Sequence, residues 1–133
     1  MSYTPPQHIL ENYAKVLVRF ALNQGKGLKK GETVYLAGNE ITKPLFLEVR
    51  KEIYRAGGHV IANYTPDNWD RYQFDRDTYD LAKPHQLDWF PEKYLKGLID
   101  EIDHFCYLIA DADPHALDGV DGKKIMRKGL PYQ

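Results

Sequence analysis

The sequence has one cysteine, Cys106, in 133 residues. No intrachain disulfide framework can brace it, and a lone thiol suits a reducing compartment. It also has almost no net charge: 18 Lys and Arg against 19 Asp and Glu leave a formal −1 at pH 7, which gives no electrostatic footprint for nucleic acid. No apolar run approaches the roughly 20 residues of a membrane span. The opening MSYTPPQHILENY lacks the basic-then-apolar form of a secretory signal. A cytoplasmic protein, with neither nucleic acid nor membrane as partner, is the expectation. There is no internal repeat, no low-complexity linker and no glycine-rich phosphate loop. Gly25-Lys26-Gly27 follows a helical stretch, fits neither dinucleotide nor P-loop spacing, and reads as a helix stop. The histidines His8, His59, His85, His104 and His115 are scattered, with no zinc-type pairing.

What is present is a globular composition, 43% hydrophobic and 28% charged. A chain of this size buries roughly 68% of its extended surface, enough for a single domain over residues 1–133. The charge is uneven. Residues 1–66 carry nine basic and five acidic side chains, residues 67–103 five and ten, and the rest four of each. Such tinting reads as two solvated surfaces or as a docking face for a partner.

Periodicity lays out the elements. Ile9, Tyr13, Val16 and Phe20 form one helical stripe, with Leu10, Leu17 and Ala21 beside it, which predicts an amphipathic helix with that stripe inward. Residues 33–37 are a short apolar, β-rich run. A helix follows, with Thr42 placed to cap it, Pro44 in its first turn, Phe46, Val49, Ile53 and Ala56 buried, and Glu48, Arg50, Lys51 and Glu52 in water. Gly57-Gly58 stop it before a second strand over 59–64. That spacing is a βαβ unit. Short helices broken near Lys83-Pro84 come next, then a helix from Pro91 to Ile102 with Tyr94, Leu95, Leu98, Ile99 and Ile102 inward. A third strand over 105–110 and a basic helix from Gly119 to Lys128 complete the order. The predicted fold is α/β: a small three-layer arrangement with a mainly parallel sheet of three strands and flanking helices. Parallel sheets need both faces covered, so this one looks as if it expects more chain, or a partner, beside it.

Few residues could carry chemistry. Asp111, Asp113 and His115 follow a strand's C-terminal end, where open α/β sheets bind ligands, and they are the weak candidates for a metal. Asp-Pro is equally turn chemistry, and the three are too few to bridge two ions. His59 and His104 each begin a strand and read as edge residues. Cys106 lies inside a strand and should be an inert thiol with a raised pKa. Trp69, Tyr72, Phe74, Tyr79, Trp89 and Phe90 read first as packing and next as a protein interface.

Several stretches together resemble a family. Ile9-Leu10-Glu11-Asn12-Tyr13-Ala14-Lys15-Val16-Leu17-Val18, Leu28-Lys29-Lys30-Gly31-Glu32-Thr33-Val34 and Ile53-Tyr54-Arg55-Ala56-Gly57-Gly58-His59-Val60 are similar to the opening of the thermophilic metalloaminopeptidases, the aminopeptidase T and S group. Ile109-Ala110-Asp111-Ala112-Asp113-Pro114, Leu117-Asp118-Gly119-Val120-Asp121 and Lys124-Ile125 resemble that family's next segment. The resemblance implies cytoplasmic, usually dimeric enzymes that remove N-terminal residues from peptides with two divalent metals, zinc or cobalt. Their Glu, His, Asp and Tyr metal and catalytic residues lie in a later, C-terminal domain. It therefore implies that residues 1–133 are the N-terminal domain alone, with no catalytic residue, no cofactor of their own, and the absent catalytic domain as partner. A stand-alone binding or dimerisation module is the alternative. A nucleotide-binding domain is a third reading, which the missing glycine loop disfavours.

Overall fold

The computed structural model describes residues 4–110 and 121–129. The chain divides into two compact units, one of residues 1–65 and 98–110, the other of 66–97 and 111–133. The first holds the sheet. Helix α1 (Gln7–Val16) runs into a π-helical turn, Leu17–Ala21. Strand β1 (Thr33–Asn39), helix α2 (Lys43–Arg55) and strand β2 (His59–Thr65) form the expected βαβ unit. Helix α3 (Phe74–Leu81), the single turn α4 (Pro84–Leu87) and helix α5 (Glu92–Glu101) precede strand β3 (His104–Tyr107), and helix α6 (Gly122–Gly129) comes last.

The strand order is β2-β1-β3 and all pairs are parallel. Thr33 pairs with His59 at the start of β1 and Asn39 with Thr65 at its end, so both strands run two residues or one past their predicted limits. β3 does the opposite. Its pairing with β1 ends at Ala37 and Tyr107, with one further backbone bond from the Leu108 N–H to the Ala37 carbonyl. Beyond it the Asn39 side-chain amide donates to the Ala110 carbonyl. A side chain thus takes over from the ladder, and apolar residues 108–110 leave the sheet.

Core packing follows the pattern on α2 and departs from it on α1. Val34, Leu36, Val49, Ile53, Val18 and Ala14 are fully buried, with Phe46 and Cys106 beside them. On α1 the residues turned inward are Leu10, Ala14 and Val18, whereas Ile9, Tyr13, Val16 and Phe20 are about half exposed or more. The predicted stripe is the outer one. Two carboxylates decide the rotation. Glu48 and Glu52, expected in water, are buried. The Gln7 amide donates to Glu48 at 2.8 Å and the Arg19 guanidinium to Glu52 at 3.3 Å, while Lys51 and Arg55 supply the second partners from α2. A buried carboxylate needs such partners, and satisfying both turns Ala14, whose small side chain permits close approach, toward the sheet.

Two glycines are required by geometry. Gly57 has φ +83°, and with Gly58 it closes α2 by bonds to the Tyr54 and Ile53 carbonyls, a Schellman arrangement that favours glycine. Gly27 has φ +81°, and a Cβ there would stand 2.0 Å from the Arg19 carbonyl oxygen. Thr42 does not cap α2. Its hydroxyl donates back to the Asn39 carbonyl at 2.7 Å, closing a 3-10 turn, Glu40–Thr42. On the sheet face away from the core, Tyr35 is covered by Phe105 and Tyr107, whose own rings are about half exposed.

The second unit has little apolar interior. Among its described residues Leu87 is the buried apolar side chain, with Asp67 and Asn68 as buried polar ones. Trp69, Tyr72, Phe74, Trp89 and Phe90 are exposed, which corrects their assignment to packing. Helix α5 is shared by the two units; Tyr94 and Ile99 on it are outward, whereas Leu95, Leu98 and Ile102 are half-covered. No helix among the described residues is long and apolar enough to cross a membrane.

Candidate functional site

In a parallel sheet of order 2-1-3 the chain runs from β1 to β2 on one edge and then crosses back to β3 on the other, so the strand order reverses at β1. The ends of β1 and β3 then flank the switch point, where ligands of open α/β sheets sit. Here two grooves meet at that edge, both formed within the first unit. The larger, about 420 Å³, is bounded by Leu10, Tyr13 and Leu17 of the α1 region, Leu45 of α2, Cys106 of β3 and Ile109 beyond it. The smaller, about 280 Å³, is formed by Gly38, Asn39, Asn63, Thr65 and Tyr107. Residues 107–110 border both.

The local sequence explains these walls. β1 ends in Gly38-Asn39, where a Cβ on residue 38 would stand 2.7 Å from the Thr42 hydroxyl and 2.8 Å from the Phe46 ring. The turn into α2 can therefore fold tightly under the strand end, which brings Leu45 to the larger groove. The two side-chain amides in the smaller groove are already engaged: Asn39 with the Ala110 carbonyl, and Asn63 with the Tyr35 hydroxyl at 2.7 Å. Neither groove has an Asp, Glu, His, Lys or Arg in its described lining.

Burial pushes the Cys106 thiol up, so it stays protonated and is a poor nucleophile. Burial, with Tyr35 alongside, raises Tyr107. The site can hold an uncharged, largely apolar body, and its described lining carries no Asp, Glu or His to act as a general acid or base.

Asp111, Asp113 and His115 lie outside the described residues. His104 is at the opposite, N-terminal edge of the sheet, with Nε2 3.0 Å from a Glu32 carboxylate oxygen. His59 is exposed at the start of β2 and His85 is in α4. In the second unit Trp69 and Tyr72 have ring centroids 5.1 Å apart and do not border either groove. Sequence reading pointed to the C-terminal ends of the strands as the ligand edge but not to the grooves' apolar lining, which ordinary Leu, Ile and Tyr residues from three elements supply. The one available signal was Ile109-Ala110, apolar residues running past a strand into a turn.

Comparison with known proteins gives three results. The thermophilic metalloprotease (M29) family pattern matches residues 6–130. Among solved structures, wild-type AmpT from Thermus thermophilus is similar over 94% of this chain, with a TM-score of 0.69 and 22% sequence identity, and the match spans 30% of that chain's length. No curated protein matches.

Proposed function

This chain belongs to the thermophilic metalloprotease (M29) family, and from that premise we propose that it is the N-terminal, non-catalytic domain of a metal-dependent aminopeptidase. The longer protein is a cytoplasmic hydrolase that removes N-terminal residues from peptides. The observation that carries this reading is one of proportion: nearly all of the chain corresponds to 30% of its structural relative. A two-metal hydrolase needs several carboxylate and imidazole ligands converging within a few ångströms, and among the described residues no group of three or more His, Cys, Asp or Glu could hold a metal. The donors among the described residues do not make such a centre, and our reading assigns the zinc or cobalt pair to the rest of the longer polypeptide.

The part left to this chain is positional. Its uncharged grooves at the strand ends suit a wall against which a peptide lies, as sites between domains often require. The test is release of amino acids from aminoacyl amides and short peptides with added zinc or cobalt. The 133-residue chain should give no turnover and the longer polypeptide should give it. Metal-dependent release by the short chain, abolished by Asp113→Ala, would overturn the assignment.

A second reading, a stand-alone binding or dimerisation module, is favoured by Trp69 and Trp89, which are 53% and 68% exposed. Light scattering separates the two: a stable dimer that Trp89→Ala dissociates supports the module.

A further inference from the structure

We propose that the outward face of α1 and its π-helical turn is a docking site for an amphipathic helix of the same longer polypeptide; the proposal rests on the reading of this chain as one domain of that protein. The face consists of Ile9, Tyr13, Val16 and Phe20, which are 47%, 55%, 53% and 64% exposed. Their spacing of four, three and four residues is that of a seam against which a second helix packs. The opposite face is already committed, because Leu10, Ala14 and Val18 are buried. A helix that is apolar on both sides is one that ends up covered on both.

The seam is continuous with other uncovered apolar surface. Tyr13 borders the larger groove, and so does Ile109, which is 87% exposed. A helix laid along the seam would extend over the mouth of that groove. Its apolar side chains would meet those four residues, and its polar face would stay in water.

The area decides between a tethered helix and a second copy of this chain. Full side-chain areas of about 200 Å² for the aromatics and about 100 Å² for the aliphatics, at the exposures above, leave roughly 350 Å² on each chain. A symmetric pair would then bury about 700 Å², short of the ~1,200 Å² at which stable dimers begin. A helix in the same polypeptide does not lose the translational freedom that limits small interfaces and meets the seam at an effective concentration of roughly millimolar.

The experiment is hydroxyl-radical footprinting of Tyr13 and Phe20 in the 133-residue chain and in the longer polypeptide, with exposed Tyr54 of α2 as the internal control. Labelling of Tyr13 and Phe20 should be strong in the short chain and fall at least severalfold in the longer one, with Tyr54 unchanged. Val16→Lys should restore that labelling and lower the melting temperature of the longer protein, while leaving the melting temperature of the short chain where it was. Equal labelling of Tyr13 and Phe20 in both polypeptides overturns the proposal. So does protection that appears in the short chain as its concentration rises, which would assign the seam to a second copy. Peptide hydrolysis is read on the same samples: a protected seam without hydrolysis overturns the assigned function alone, and hydrolysis with an open seam overturns this inference alone.

Discussion

The two units of this chain use apolar residues in opposite ways. The first collects Val18, Val34, Leu36, Val49 and Ile53 into one fully buried cluster. The second has Trp69, Tyr72, Phe74, Trp89, Phe90 and Tyr94 and leaves all of them exposed. Polar ties order it instead. Asn68 and Asp75 exchange two hydrogen bonds of 2.7 and 2.9 Å at the start of α3, Gln86 accepts from the Lys83 N–H ahead of α4, and Arg127 of α6 makes a bidentate pair with Asp88. That pair holds the Asp88 carboxyl below its ordinary range. Exposed ion pairs stabilise little, whereas each buried side chain contributes about 1.5–3 kcal/mol. Stability should therefore reside in the sheet unit, and the aromatics of the other are available to bind.

The sharpest way to break this contrast is to open the core. Leu36→Ala removes a side chain with no solvent exposure and should cost about 3–5 kcal/mol, read as a drop in the urea midpoint with little change in slope. A shift below about 1 kcal/mol would mean that the cluster is not the main source of stability. Gly27→Ala comes next. It forces a Cβ against the Arg19 backbone at a positive φ and should cost about 2 kcal/mol or more, read in the same titration.

Glu48→Gln sharpens the account of how α1 is held. The Lys51 hydrogen bond first, and the Gln7 bond second, lower the Glu48 pKa. A carboxylate lowered on folding stabilises above its unfolded pKa, near 4.3, and loses that contribution as pH falls through the folded value. The variant should be about 1 kcal/mol less stable than the parent from neutrality down to about pH 5, and the gap should close at lower pH. A gap that is constant with pH would remove the carboxylate from the explanation. The smallest effect belongs to the second unit: Trp89→Ala should stay within about 0.5 kcal/mol. A larger loss would show that its aromatics are packing after all.

Legibility from sequence tracks how many elements a residue must satisfy. β1, β2 and α2 were readable because a single period, bounded by Gly38 and by Gly57-Gly58, serves one buried face. α1 was not, because two neighbouring apolar stripes, Ile9-Tyr13-Val16-Phe20 and Leu10-Ala14-Val18, could each face inward, and its rotation depends on where Glu48 and Glu52 sit on another helix. The same carboxylates looked solvated because their spacing to Lys51 and Arg55 is that of surface pairs. The grooves at the strand ends had no chemical signature to find. Tyr94 and Ile99 matched a helical stripe and lie outside it.

The sequence by itself determined the α/β class, the three parallel strands and their helical connections, since hydrophobic period and glycine stops act within a few residues of one another. Family membership likewise follows from the ordered residues. Only the tertiary structure decided which side of α1 is buried, where β3 gives way to the Asn39 side chain, and which aromatics stay in water. Those outcomes depend on burial and hydrogen bonding between residues far apart in the chain, such as Gln7 with Glu48 and Asn39 with Ala110, and no local pattern records them.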